Sequence, residues 1–314
     1  MATSGSINFN MTAHEIVQAA VSIVDERSSE IPLTNNEISD GVKSLNRMVK
    51  AWQQKFHLWK RKEGVLFLRT GITSYTLGGS SPDHSCLLSD FIDTTITTAA
   101  VSGATALVVS STTGMVASDK IGILLDDGTR QWTTIVTVDS ATGLTITAAL
   151  TDDVSVGNTV FTYTTVMERP LQIESTRRGL ITNDVEVELD KWSRQQYFAQ
   201  TNKTSQGTPV SFFYAPRLSD GIYYVWQTAN NVNQLLYMTF NATIEDFDTS
   251  SNNPDFPVEW CDALVWNLAE RIALEYQVAL PKFQLIQAKA AELLDDALGF
   301  DQETVSLNLK PDFS

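Results

Sequence analysis

The chain has 314 residues, 43% of them hydrophobic, with 37 acids against 22 bases and a formal net charge of −15. That length suits two domains or one domain with an insert, and the apolar share supports a sizeable core. The charge excludes wrapping of nucleic acid by counterion release, which needs cations at phosphates. No apolar run reaches the roughly 20 residues of a membrane span, and MATSGSINFN lacks the basic-then-apolar order of a secretory signal. Cys86 and Cys261 lie far apart in unlike contexts, which fits a reducing compartment better than a disulfide framework.

Thr12-Ala13-His14-Glu15 reads as a capping box, followed by a stripe of Ile16, Ala19, Ala20 and Ile23. Ser28 to Leu33 is a polar linker. Thr34-Asn35-Asn36-Glu37 is a second capping box, opening a long helix with Ile38, Val42, Leu45, Val49, Trp52 and Phe56 on one side. Lys43, Arg47 and Lys50 share another face. They begin a stretch, continued by Lys55, Lys60, Arg61 and Lys62, that contains no acid. The N-terminal end therefore reads as a helical hairpin with a basic flank.

After Gly64 the period shortens to two. Val65–Leu68 and Ser74–Leu77 read as strands, and Gly78-Gly79-Ser80-Ser81-Pro82 marks a boundary. Residues 85–165 are rich in Thr, Val, Ala and Ile, with two bases against eight acids. Ile121–Leu125, Asp126-Asp127-Gly128 and Gln131–Val136 form a hairpin signal with Asp-Gly at the turn. Leu144–Leu150 and Thr159–Tyr163 are further strands. This segment reads as a small all-β module inserted as a unit, its two ends close together. Strand signals resume at Arg169–Ile173, Val185–Leu189, Pro209–Tyr214, Ile222–Trp226 and Gln234–Phe240. Turn signals between the last three suggest an antiparallel meander.

From Pro254 the helical period returns. Cys261, Val265, Leu268, Ile272 and Tyr276 keep one face, Pro281 interrupts, and Phe283, Ile286, Ala290, Leu293 and Ala297 form a second stripe ending at Gly299. These helices can bury their stripes on the N-terminal pair, giving one helical body. Trp266 and Leu274 project off the stripe, Trp266 beside Glu259, Asp262 and Glu270. They are candidates for a subunit interface, or for packing under a loop of the same chain. From Ile244 onward fourteen acids face four bases, so chain ends of opposite sign favour self-association. Beyond Phe300 apolar residues alternate at Val305, Leu307 and Leu309, with Phe313 near the end. This reads as an extended arm.

Residues for chemistry are sparse. Three histidines, His14, His57 and His84, are too scattered for a metal cluster. His84-Ser85-Cys86 joins three reactive types, but a triad needs a base held on a nucleophile and a third group orienting it. Turn chemistry accounts for it better, and likewise for Asp126-Asp127 and Asp152-Asp153. No carboxylate pair suits glycan hydrolysis. The reading assigns no catalytic residues, no metal, no cofactor and no enzymatic activity.

Leu45-Asn46-Arg47-Met48-Val49-Lys50-Ala51-Trp52 resembles the opening of the head-to-tail adaptor (tail accessory, head-completion) family of short-tailed bacteriophages. Gly207-Thr208-Pro209, Phe213-Tyr214, Tyr224-Val225-Trp226, Phe256-Pro257-Val258-Glu259-Trp260 and Ala263–Ala269 resemble the family's second half, in the same order. The resemblance covers roughly 1–80 and 165–314, and the insert departs from the simplest members. It implies an α+β virion protein in the tail or neck, assembled in the host cytoplasm. The body would be 1–84 with 166–299, the inserted domain 85–165 and the arm 300–314. It further implies a twelvefold homo-oligomeric ring under the portal protein, holding a downstream nozzle or tail-fibre protein. Double-stranded DNA would pass through without specific binding, and no membrane is involved. The implied roles are portal binding for Phe300, Val305, Leu307, Leu309 and Phe313, and subunit contacts for Lys43, Arg47, Lys50, Trp266 and Leu274. Muralytic activity attributed to some relatives makes a peptidoglycan hydrolase, or a glycan-binding tail component, the alternative.

Overall fold

A computed structural model describes residues 5, 8–25, 32–54, 58–180 and 183–300, with side-chain detail for all but the ends of some of these segments. Among them the protein is mixed α+β. In chain order come α1 (Ala13–Val24) and α2 (Asn35–Trp52). Next are β1 (Arg61–Phe67), β2 (Ser74–Leu77) and β3 (Ser85–Leu87). Then follow β4 (Ile92–Thr98), β5 (Ala106–Val109), β6 (Lys120–Leu124), β7 (Arg130–Val138), β8 (Gly143–Ile146) and β9 (Thr159–Tyr163). They lead to β10 (Gln172–Leu180), β11 (Asn183–Glu188), β12 (Asp190–Lys191) and α3 (Arg194–Ala199). The chain continues through β13 (Gln206–Gly207), β14 (Ser211–Pro216), β15 (Gly221–Trp226), β16 (Thr228–Ala229) and β17 (Gln234–Asn241). It closes with α4 (Cys261–Ile272) and α5 (Leu280–Phe300). The chain divides into two compact units, one formed by the residues up to Lys60 together with those from Thr243, the other by Arg61–Ala242.

Both helices of the first pair start as their sequences dictate. Thr12 and Thr34 each accept from the amide of the glutamate three residues on, and Glu15 and Glu37 reach back to the threonine amides. The core of this unit gathers Ile16 and Ala20 of α1, Leu45, Met48 and Val49 of α2, Leu264 and Leu268 of α4, and Ile286 of α5. Asn267 ties α4 to α5, its Nδ2 donating to Ala263 O at 2.9 Å and Ala290 O at 3.0 Å. Trp52, Trp59, Phe256 and Trp260 form one aromatic cluster against that core.

In the second unit, β17 lies at the centre of a five-stranded sheet of order β11-β10-β17-β1-β3. A four-stranded sheet, β12-β14-β15-β2, supplies Tyr75, Phe212, Tyr223 and Val225 to a core shared with Leu66, Met238 and Phe240 of the first sheet. Strands β4 to β9 close into a six-stranded barrel in the order β4-β5-β8-β7-β6-β9, filled by Ile96, Leu107, Ile121, Ile123, Ile135, Leu144 and Val160. Closure removes the exposed edges an isolated small sheet would carry. On its outer face, Arg130 is held over the Phe161 ring at 3.9 Å and donates to Gly122 O, Thr159 O and Thr159 Oγ1.

The structure corrects several sequence expectations. β14 and β15 pair antiparallel, but β17 does not continue that meander; it pairs with β1 and β10 in the other sheet. Its apolar residues serve both faces, Leu236 and Met238 on one and Leu235 on the other, as suits a strand covered on both sides. Ser85–Leu87 is a strand on β1 rather than a turn. The chain from Glu174 to Arg178, polar in composition, is the middle of β10. Helix α4 stops at Ile272, so Tyr276 lies beyond it, and Gln277 takes a left-handed φ of 52°. Gly299 falls inside α5 rather than after it. The expectations for Ser28–Ile31, Lys55, Phe56, His57, Val305, Leu307, Leu309 and Phe313 lie outside the described residues.

Candidate functional site

The basic flank of α2 is largely spent within its own unit. Lys50 Nζ pairs with Asp246 at 2.7 Å and donates to Ile244 O at 2.6 Å. Arg47 donates to Ser44 Oγ at 2.8 Å. Lys43 stays exposed, paired with Asp40 one turn back, which contributes little to stability. Asn46, between them, clamps the backbone of Phe247: its Nδ2 donates to the carbonyl and its Oδ1 accepts from the amide, both at 2.9 Å. The Leu45–Trp52 motif therefore has structural work in this chain. Asn46 and Lys50 hold the 244–247 strap and Trp52 enters the aromatic cluster.

Of the off-stripe residues, Trp266 is half-buried against the helical core, whereas Leu274 is 74% exposed. Leu280 at 67% and Leu285 at 72% join it in the segment where α4 hands over to α5. Leu274, Leu280 and Leu285 thus all face solvent within twelve residues of sequence, and exposed apolar side chains of this size suit contact surfaces. The signal was in the sequence: the Phe283, Ile286, Ala290 stripe leaves Leu285 off its face. Phe300 is the last residue of α5.

A second feature, without a separate sequence expectation, is an aromatic layer around α3. Trp192 and Trp226 stack at 5.3 Å, and Tyr197, Phe198, Phe213 and Tyr224 pack beside Arg194 and Lys203. The capping box Ser193-x-x-Gln196, which forms as written, was the overlooked signal for this helix.

The reactive-looking groups are built into packing. Ser85 and Cys86 are buried, and burial drives the Cys86 thiol far above its ordinary range. His84 stacks on Trp132 at 4.0 Å and shares a 2.7 Å hydrogen bond between Nδ1 and the Tyr163 hydroxyl. Asp126 accepts from Ser155 and Asn158, and Asp127 from Thr129, so both finish turns. Among the described residues, no three His, Cys, Asp or Glu side chains converge to hold a metal, and no helix is long and apolar enough to cross a membrane.

His84 gives the barrel junction a pH dependence. Burial lowers its pKa from 6.5 to about 4, against an opposing pull from the charge of Asp83. With the folded value below the unfolded one, the unfolded chain takes up the proton first as pH falls. The stability contribution is thus full above about 6.5 and is lost as pH drops through about 4. Discounted for a ring partly open to solvent, the loss is expected to be about 1–2 kcal/mol. Denaturation midpoints at pH 7 and 4.5 should fall further for the wild type than for His84→Phe; equal slopes would dismiss the effect.

No family model and no curated protein matches the chain. Solved structures give weak likenesses to capsid proteins of one phage. VP17, a capsid protein of bacteriophage P23-77, is 11% identical over 62% of this chain and 77% of its own, with a TM-score of 0.12. The VP16–VP17 complex, a complex of the two major capsid proteins of bacteriophage P23-77, is 11% identical over 61% of this chain and 79% of that one, with the same TM-score of 0.12. A score that low defines no shared fold, and the likeness carries no argument.

Proposed function

We propose that this chain is a structural virion protein of a short-tailed phage, a head-to-tail adaptor and not an enzyme. It docks on the portal protein as a homo-oligomeric, twelvefold ring and carries the next tail component. In this reading 1–84 with 166–299 form the adaptor body, 85–165 an inserted β domain, and 300–314 an arm that engages the portal through Phe300, Val305, Leu307, Leu309 and Phe313. Lys43, Trp266 and Leu274 belong to the contact between subunits, with Arg47 and Lys50 shaping that flank. The net charge of −15 suits a conduit that repels DNA phosphate and lets the genome pass.

The observation that carries the reading is the cluster of exposed leucines, Leu274, Leu280 and Leu285, on the helical unit. The ordered sequence resemblance supports it. A surface of this kind is explained by a partner and not by catalysis. The test is the mass of the purified chain alone and with portal protein. We expect a portal-bound ring, lost when 300–314 is deleted and weakened at least tenfold by Leu274→Asp with Leu285→Asp. Full portal binding by both variants would reject the reading. Clearing of a peptidoglycan zymogram by the pure protein would replace it with the hydrolase.

A further inference from the structure

The five-stranded sheet ends in two edges that match each other. On one side β11 pairs with β10 alone among the described residues. Val185 and Val187 of this edge strand stand 60% and 45% exposed. On the other side β3 covers only Gly64, Val65 and Leu66 of β1. The first half of β1, Arg61, Lys62 and Glu63, has β17 on one flank and, among the described residues, no strand on the other, where the short 3-10 turn Leu88–Asp90 leaves β3. There an open depression of about 590 Å³ is lined by Lys62, Glu63, Leu87, Leu88 and Ser89. Natural proteins blunt bare edges because each offers a row of unpaired backbone groups.

We propose that two copies of this chain join through these edges, β11 of one adding to the first half of β1 in the next. Three properties of the sheet fit the pairing. Direction comes first. β17 is antiparallel to both β1 and β10, and β10 is antiparallel to β11. A neighbour's β11 that continues the sheet therefore meets β1 antiparallel.

Facing comes second. Val187 sits opposite Arg178, Arg178 opposite Leu236, and Lys62 opposite Phe240. Leu236 and Phe240 share one face, so the exposed valines lie on the same face as Lys62 and Leu87. In the paired sheet Val187 covers the alkyl stem of Lys62, which makes no ion pair among the described residues, and Val185 comes level with Gly64, where Leu87 already holds the edge, and meets Leu87 end on.

Charge comes third. Glu186 and Glu188 occupy the opposite face, with Arg177 and Arg61. Glu188 has no partner among the described residues and comes beside Arg61 of the next copy, while Glu186 comes opposite Glu63, each of these two carboxylates being held by the Arg177 of its own chain. The two edges are offset along the strands by the four residues from Leu236 to Phe240. Successive sheets then run oblique to the ring, the tilt that closing a staggered sheet requires. The contact uses two different patches, so it propagates head to tail and closes when the rotation allows.

The inference rests on the proposed self-assembly and names its contact. Lys62 and Val187 become cross-strand neighbours in this register, close enough for a disulfide. The native cysteines are buried and do not compete. Oxidised Lys62→Cys/Val187→Cys full-length protein is expected to give a covalent ladder on non-reducing gels. A mixture of the two single variants should stop at dimers. The pair Lys62→Cys/Val185→Cys serves a register moved by two residues. If the wild type assembles and neither pair cross-links, the edge pairing is overturned while the adaptor reading stands. Val187→Cys dimers formed without the Lys62 variant also overturn it. A ladder in a protein that ignores portal keeps the pairing and removes the adaptor reading. A wild type that stays monomeric alone and with portal, with no cross-link, overturns both.

Discussion

Replacing Trp260 with alanine should cost the helical unit about 4 kcal/mol, the range for deleting a fully buried aromatic together with the cavity it leaves. The indole is 1% exposed. Its ring lies 4.8 Å from Trp59, 5.6 Å from Phe256 and 5.8 Å from Trp52, two of the three edge-on. Such pairs add to area burial because the positive ring edge meets the negative face. The four rings come from the end of α2, the segment after it and the segment leading into α4, so they join the N-terminal and C-terminal parts of this unit. Collapse of one ring onto the others cannot refill the site without moving two chain segments. A typical domain has only about 5–15 kcal/mol in total, so the variant should lose much of its helical signal well before the wild type in a urea titration. A loss below about 1.5 kcal/mol would show that the cluster repacks.

Gly78→Ala is expected to be almost as damaging, at about 3 kcal/mol, for a reason of geometry and not of size. Gly78 ends β2 with φ at +68°, a conformation that costs an L-residue about 1–2 kcal/mol. A Cβ there would lie 2.8 Å from both Cα and Cβ of Arg169, and would overlap its backbone nitrogen. Backbone cannot swing aside as a long side chain can, so overpacking adds about another 1–3 kcal/mol. Gly78 lies before β3 and Arg169 after β9, so the alanine pushes apart the chain that enters the 85–165 segment and the chain that leaves it. Gly103→Ala is the control. Its φ is +87° but nothing lies within 4 Å of the added methyl, so only the conformational cost, about 1 kcal/mol, should appear. Equal losses at the two positions would refute the packing argument.

Local chemistry was legible wherever it is settled by neighbours in sequence. Thr12 with Glu15 and Thr34 with Glu37 form the capping boxes their spacing announces, and Asp126-Asp127-Gly128 closes the hairpin of β6 and β7. The Thr- and Val-rich alternation of 85–165 announced strands, and strands β4 to β9 stand there. The strand signal at Arg169–Ile173 stops short of most of β10, where Arg177 is paired with Glu63 and Glu186 on one sheet face and Glu174 with Arg61. Alternation alone does not say whether a charged face meets water or another strand's charges.

The sequence by itself determined where α1 and α2 begin, where the turn between β6 and β7 falls and which helical faces are apolar, because those depend on capping, glycine and period within a few residues. Only the tertiary structure decided that β17 leaves its neighbours in sequence to lie between β1 and β10, that six short strands close on themselves, and that Leu274, Leu280 and Leu285 face water while Trp266 is half-buried. Each of these turns on which surfaces compete for burial across a hundred residues or more, and loop closure makes distant partners nearly equal in entropic cost. The outcome is then fixed by the fit of side chains in three dimensions.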